Sequence, residues 1–241
     1  METSTVNWRQ FVGGDWGIAL KDEAPGWREY LIENPSGSVV CRSMLMRYEL
    51  AMLYALARLN YTGAGAIIDA GPLTGLTTNA LVKGLLANPL AQDNKRRVFA
   101  FDLFDHVPQQ GALDNVPNRN GSILDTYLEV NRDYLDTVSI AAGDLLRHSW
   151  NSGQIEILMI DLAKSWKLNT FVVDEWFPEL LPGAYLVQQD YCSWLSYWLP
   201  ITMAVLKDHF QLVDFAMGGS TIFRCIKPVP ADMGARLPIR R

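Results

Sequence analysis

Residues 67–78 read IIDAGPLTGLTT. The stretch opens as a short apolar strand, ends on Asp69, turns through Gly71 and Gly75, and enters threonines suited to a helix start, with Thr77 the expected N-cap. Glycines there let the chain bend sharply and let a ligand approach the backbone. The helix that follows would aim its first N–H groups and positive dipole end at that ligand. The spacing is Asp69-x-Gly71-x-x-x-Gly75. It is not the GxGxxG of dinucleotide-binding folds, because Leu73 and Thr74 stand where the second close-approach glycine belongs, and no Gly-Lys-Ser/Thr follows to make a phosphate loop. A ligand-free strand-turn-helix gives the same letters, so the neighbouring segments must decide.

Strand and helix patterns alternate on either side. MLMRYELAMLYALARLN (44–60) places Leu50, Leu53, Tyr54 and Ala57 on one helical face, and TTNALVKGLLA (77–87) continues as a helix. RVFAFDLF (97–104), TVSIAAGD (137–144), IEILMID (155–161) and AYLVQQDY (184–191) read as strands. NTFVVDEWFPELLPG (169–183) reads as a helix stopped by Pro182-Gly183, and WLSYWLPITMAVLKDHF (194–210) as a helix kinked at Pro200. FQLVDFAMGGSTIFRCI (210–226) reads as two strands joined by a Gly-Gly turn, which makes the last strand antiparallel to its predecessor. Near-continuous apolar strands separated by helices imply a mostly parallel, doubly wound α/β sheet of seven strands, Rossmann-like, with helices on both faces and an antiparallel last strand. Ligands of such sheets sit beyond the carboxyl ends of the strands. Those ends carry Asp69, Asp102, Asp144, Asp161 and Asp190, which favours a site over a run of helix caps.

The three-part spacing of the glycine turn, an acid about 30 residues on at Asp102, and Gly143-Asp144 after the next strand resembles class I S-adenosylmethionine-dependent methyltransferases. Within that class GPLTGLTTNAL, FDLFDHV, ILMIDLAKSW and FPELLPGAYLVQQDY, over roughly residues 45–226, are similar to the macrocin O-methyltransferase-like small-molecule enzymes. The resemblance implies S-adenosylmethionine held by Asp69, Gly71, Leu73, Thr74, Gly75, Thr77 and Thr78 at the turn. Asp102, Leu103 and Phe104 would lie beside the ribose, Gly143 and Asp144 near the adenine, and Asp161 beside the donor. It further implies a magnesium-type ion on Asp161, Gln189 and Asp190. The chain departs from the family there: Ala163-Lys164 stand where a second acid is expected, PGG becomes Pro182-Gly183-Ala184, and the paired acids become Gln189-Asp190.

Methyl transfer to a hydroxyl needs an oriented donor, an in-line acceptor and a proton acceptor. His106 precedes the polar stretch 108–122, a lid candidate, and is the candidate base; a loop histidine facing water is the plainer reading. His148 reads as remote and His209 as a helix C-cap. Lys164 would either orient an anionic acceptor or lie on the surface. Trp166, Tyr191, Trp194, Tyr197 and Trp198 would either stack on the acceptor or pack a helix on the sheet. Two functions stay open: O-methylation of a sugar or secondary-metabolite hydroxyl, or a methyltransferase-fold protein that binds a nucleoside-like ligand or partner without catalysis.

The bulk numbers narrow the classes. Net charge is −5 with no basic stretch, which disfavours nucleic acid as partner. No run approaches the roughly 20 apolar residues of a membrane helix. The opening METSTVNWRQF has no apolar core of a signal peptide, so the cytoplasm is expected. Cys41, Cys192 and Cys225 are scattered and read as buried reduced thiols. Residues 1–43 read as an extension of unassigned structure, 44–227 as the methyltransferase-like domain and 228–241 as a loose tail. The resemblance implies a homodimer built through such an extension.

Overall fold

The computed structural model describes residues 20–21, 30–33, 39–91, 97–105, 123–216 and 218–238. The chain starts with three short antiparallel strands, β1 (Leu20–Lys21), β2 (Tyr30–Glu33) and β3 (Val39–Ser43). The main sheet is built from β4 (Ala66–Ala70), β5 (Val98–Asp102), β6 (Val138–Ala142), β7 (Ile155–Ile160), β8 (Leu180–Gln188), β9 (Phe210–Phe215) and β10 (Thr221–Cys225). Their spatial order is β6-β5-β4-β7-β8-β10-β9. The first five run parallel, and β10 is antiparallel to both β8 and β9. The expected sheet is therefore present, with β9 rather than the last strand at its outer edge. Strand order reverses around β4, so the crevice beyond the ends of β4, β5 and β7 is the topological switch point.

Alternation along the strands sorts the core into two layers. Ile67, Val98, Ile157, Met159 and Val187 pack with α1 (Arg47–Ala55), α2 (Leu76–Leu86) and α3 (Leu124–Val130). Ile68, Ala70, Leu158, Ile160 and Leu186 pack with α4 (Trp166–Glu175) and α5 (Trp198–Val205). α1 departs from the amphipathic expectation: every residue from Glu49 to Ala57 is buried. It packs in one layer with α2 and the sheet residues Ile67, Met159 and Val187, so this stretch leaves no face for water.

Local chemistry explains the other departures. α2 starts at Gly75, in the left-handed region at φ 94°, and Thr77 lies inside the helix rather than capping it. α4 starts one turn earlier than read, where the Ser165 hydroxyl accepts from the Leu168 N–H. It ends before Pro182-Gly183, which belong to β8 instead. Ile155 pairs with Leu180 and Ile157 with Tyr185, so Leu181–Ala184 bulge out of the ladder, where Pro182 has no N–H to lose and Gly183 takes φ 97°. Pro200 is the third residue of α5, in the first turn, where no intrahelical N–H bond is forfeited and a kink is not required.

The tail beyond β10 is not loose over its described length. Val229, Met233 and Leu237 are buried against the α4 layer, and the Gly234 N–H donates to Asp174 Oδ1 at 2.7 Å. His209 is not a helix cap; its Nδ1 meets the Pro228 carbonyl at 2.8 Å and ties this tail to the end of α5. Of the cysteines, Cys225 is buried and Cys192 is exposed, against expectation. No helix among the described residues is long and apolar enough to cross a membrane.

α1 and α2 approach closely because Gly84 has no side chain; a Cβ there would collide with the Tyr54 carbonyl oxygen and crowd the Ala57 methyl at 2.9 Å. Helix propensity alone favours Gly84→Ala by about 1 kcal/mol. Overpacking against backbone costs about 1–3 kcal/mol and should win. Urea unfolding of Gly84→Ala is expected to show a lower midpoint at unchanged slope; a raised midpoint would mean the two helices are free to move apart.

Candidate functional site

Four strand ends converge on one edge of the sheet. Asp69, one residue from the end of β4, is 1% exposed and points to the α2 side. Its Oδ2 accepts from both the Thr77 and Thr78 hydroxyls, at 2.8 and 2.6 Å. Its Oδ1 is buried with no partner. Burial pushes the Asp69 carboxyl up to about 7, the threonine bonds offsetting part of the effect. The threonines read as cofactor contacts are thus the helix's anchor on β4. Tyr127, on α3, donates its hydroxyl to Thr78 Oγ1 at 3.2 Å.

The glycine turn is held from three sides. Gly71, Leu73 and Gly75 all take positive φ, at 95°, 52° and 94°. A Cβ at Gly71 would press on the Asp161–Leu162 backbone at 3.0 Å, and one at Gly75 would collide with the Asn131 amide and the Tyr127 ring. Both glycines are therefore required by packing as well as by dihedral. Asn131 also donates to the Gly75 carbonyl at 3.1 Å. The Leu73 N–H donates to Asp102 Oδ2 at 2.8 Å, and the Phe104 N–H, from a residue at φ 53°, to Asp102 Oδ1 at 2.9 Å. Asp102 thus locks the end of β5 to the turn. The Leu103 N–H bonds the same carboxylate, which leaves one of its roughly four lone-pair sites for another donor. Burial raises its pKa, and those backbone bonds offset part of the rise. Leu103 is exposed and Phe104 is buried against Tyr127, with ring centroids 4.9 Å apart. A cavity of about 30 Å³, about one water in size, lies on the turn and is lined by residues including Met44, Leu45, Leu73, Thr74 and Asp161.

After β6, Gly143 takes φ 125° and Asp144 caps a short 3-10 turn by accepting from the Leu146 N–H at 3.1 Å. A structural role accounts for Asp144. His148 is nearer the site than its sequence position suggested: its ring meets Phe101 of β5 edge-on at 6.0 Å and lies 3.7 Å from where a Gly143 Cβ would be. His106 and the stretch 108–122 lie outside the described residues.

β7 and β8 end side by side on Asp161 and Asp190. Lys164 Nζ bonds Asp161 Oδ1 and, at 2.7 Å, Asp190 Oδ2. Burial pushes the Asp161 carboxyl up to about 6 against the pull of Lys164. Burial would lower the lysine, but its two carboxylates outweigh that and raise it. Gln189 turns its amide oxygen to Ser220 Oγ at 2.7 Å. Ser220 Oγ and N–H in turn reach Glu49 Oε1 at 2.7 and 3.1 Å, and Glu49 Oε2 accepts from the Met46 N–H at 2.8 Å. Glu49 is fully buried, and its carboxyl is pushed up to about 7 by burial. Sequence reading missed Glu49 and Ser220; the only signal was an acid inside an otherwise apolar helix. Beyond the ends of β8 and β9 a cavity of about 500 Å³, within the usual range for small-molecule sites, is lined by residues including Asp190, Cys192, Phe215, Gly218, Ser220 and Thr221. Of the aromatic group, Trp166, Tyr197 and Trp198 pack on one another, Tyr191 packs on Phe223, and Trp194 is 83% exposed.

Comparison with known proteins places this architecture. No protein-family model matches the sequence, and no curated protein matches it. Solved structures match its shape. The O-methyltransferase NovP superposes with a TM-score of 0.61 at 14% identity, over 77% of this chain and 82% of that one. A TDP-rhamnose 3′-O-methyltransferase of calicheamicin biosynthesis gives 0.53 at 16%, over 73% and 77%. An O-methyltransferase from Bacillus cereus in complex with SAH gives 0.51 at 14%, over 74% and 80%. The chain has the fold of these enzymes.

The buried Asp69 carboxyl yields a stability prediction. A free aspartate titrates near 3.8, so between that value and about 7 the unfolded chain has released a proton that the folded chain still holds. This contribution is fully present below about pH 4 and is lost as the pH rises to about 7. Asp69→Asn keeps an acceptor for both threonines and removes the titration. Its melting temperature relative to wild type is expected to rise between pH 4.5 and 8, with a gain on the order of a few kcal/mol at pH 8. A parallel pH profile for the two proteins would show that Asp69 is already ionised in the fold.

Proposed function

From a fold shared with O-methyltransferases, we propose that this protein transfers a methyl group from S-adenosylmethionine to a hydroxyl of a small molecule. The observation that carries the reading is the Asp102 carboxylate at the switch point, bonded to the Leu73 N–H at 2.8 Å and so fixed against the glycine turn. The residues present fit the donor. Asp102 has one lone-pair site left for a ribose hydroxyl. Asp69 Oδ1 is a buried acceptor with no partner beside the turn. The turn cavity is smaller than the donor, so Met44, 40% exposed, would have to swing aside on binding. The neighbour in complex with SAH supports the cofactor class, and the TDP-rhamnose neighbour supports a sugar-like acceptor.

When bound, S-adenosylmethionine supplies an electrophilic methyl, which the acceptor oxygen takes as the carbon–sulfur bond breaks with its electron pair left on sulfur. Asp161 takes the proton that the hydroxyl releases; a carboxyl near 6 is largely ionised at neutral pH yet basic enough to share that proton. His106 is the alternative base. The 500 Å³ cavity beside Asp190 holds the acceptor. Residues 1–43 would serve pairing of two chains, and the cytoplasm is the expected compartment.

Burial chiefly raises the Asp69, Asp102 and Asp161 carboxyls, and neighbouring acids add to the rise at Asp69 and Asp161, so the site favours a cation. The sulfonium donor carries one more positive charge than its thioether product. Calorimetric titration is expected to show S-adenosylmethionine binding tighten from pH 5.5 to 8, as these carboxyls ionise, and S-adenosylhomocysteine binding change less. Asp102→Ala should weaken both about tenfold or more, by loss of charge-assisted hydrogen bonds. If wild type binds neither compound at any of these pH values, the enzyme reading is wrong.

A further inference from the structure

We propose that Lys164 is a built-in cation, held between Asp161 and Asp190 in place of a divalent metal, so that this site works without one. The proposal deepens the methyl-transfer reading and rests on it for its functional meaning.

The two acids end neighbouring parallel strands, and the lysine between them is placed by the backbone rather than by chance. The Asp161 N–H donates to the Ala70 carbonyl and the Lys164 N–H to that of Leu162, both at 2.7 Å. Trp198 Nε1 holds the Ala163 carbonyl at 2.7 Å, and Ser165 caps α4 immediately after. Asp190 takes φ 61°, a left-handed turn whose carbonyl accepts from the Ser193 N–H. Both partners of the ammonium thus sit on fixed turns.

The same geometry does not fit a divalent ion. Magnesium needs about six oxygens in near-octahedral order, with carboxylates to offset its charge. Asp161 and Asp190 are each engaged by the lysine, and the third sequence candidate, Gln189, has its amide oxygen on Ser220. Among the described residues no group of three histidines, cysteines or acids could hold a metal. An ammonium already at the centre adds repulsion to any incoming cation.

Stability does not explain the arrangement. Lys164 is 49% exposed and its partners 20% and 34%, and ion pairs that wet contribute little to folding. What the pairs do fix is the place of a positive charge on Asp190, which lines the larger cavity. An ammonium has three N–H donors; two are on the acids, and the third is left for an acceptor oxygen.

The test uses Mn²⁺ as probe and needs no methyl donor. Electron paramagnetic resonance titration of the wild-type chain is expected to leave the free-ion signal undiminished at millimolar Mn²⁺. Lys164→Ala, with two unbalanced carboxylates, should bind Mn²⁺ about tenfold or more tighter than wild type. Equal, tight uptake by both proteins would overturn the proposal. If Lys164→Ala does not fold, amine acylation of the wild type decides. Lys164, with its ammonium bonded to both acids, should label more slowly than the exposed Lys167 with or without Mn²⁺. Acceleration at Lys164 on adding Mn²⁺ would mean that a metal displaces it. Failure to bind S-adenosylmethionine would sink the methyl-transfer reading and leave these metal results standing.

Discussion

One buried carboxylate organises the functional edge of the sheet. Asp69 is removed from water at the centre of the fold and satisfied on one oxygen by two threonine hydroxyls of the following helix. Those bonds set where α2 begins, and therefore how the turn of Gly71 to Gly75 must fold to reach it. The position of α2 then brings Gly84 against Tyr54 of α1 and Thr78 under Tyr127 of α3. A carboxyl held near 7 is an expensive anchor in a region where an amide would serve.

Charge, more than shape, distinguishes this edge. Glu49, Asp69, Asp102 and Asp161 all have raised pKa values, each chiefly through burial. Lys164 supplies the fixed positive charge that this set otherwise lacks. The arrangement divides the edge into an acid-lined half around the glycine turn and a half around Lys164 and the larger cavity. A donor that carries positive charge suits the first, and an oxygen-rich acceptor suits the second.

Much of this was legible in the sequence because strands that end on acids are short apolar runs with an abrupt change of character. AIIDA and VFAFD announce both their burial and their exit. The glycine spacing likewise separated this turn from dinucleotide and phosphate loops. What was not legible depends on partners far away in the chain. Pro182-Gly183 stop helices in most settings, and only the bulge opposite Ile155–Ile157 lets a strand absorb them. Lys164 beside Asp161 looks like a surface residue until Asp190, 26 residues on, is brought to the next strand end. Thr77 looked like a cap because the carboxylate that claims it lies on another element. Val229, Met233 and Leu237 of the tail fall at i, i+4 and i+8, but Pro228, Pro230 and Gly234 among them mask that spacing as a loose end.

The Glu49–Ser220 contact spans 171 residues, from the first helix of the described core to the hairpin that closes the sheet. A ribosome releases the amino end first, so α1 emerges long before the serine that completes its polar satisfaction. Until then the glutamate must stay hydrated, and the helix that carries it cannot settle fully between the sheet and its neighbours. Burial of α1 is therefore coupled to insertion of β10 between β8 and β9, and assembly of this layer is deferred until the carboxyl-terminal hairpin has been synthesised. High contact order of this kind slows folding and lengthens the time that apolar α1 stays uncovered.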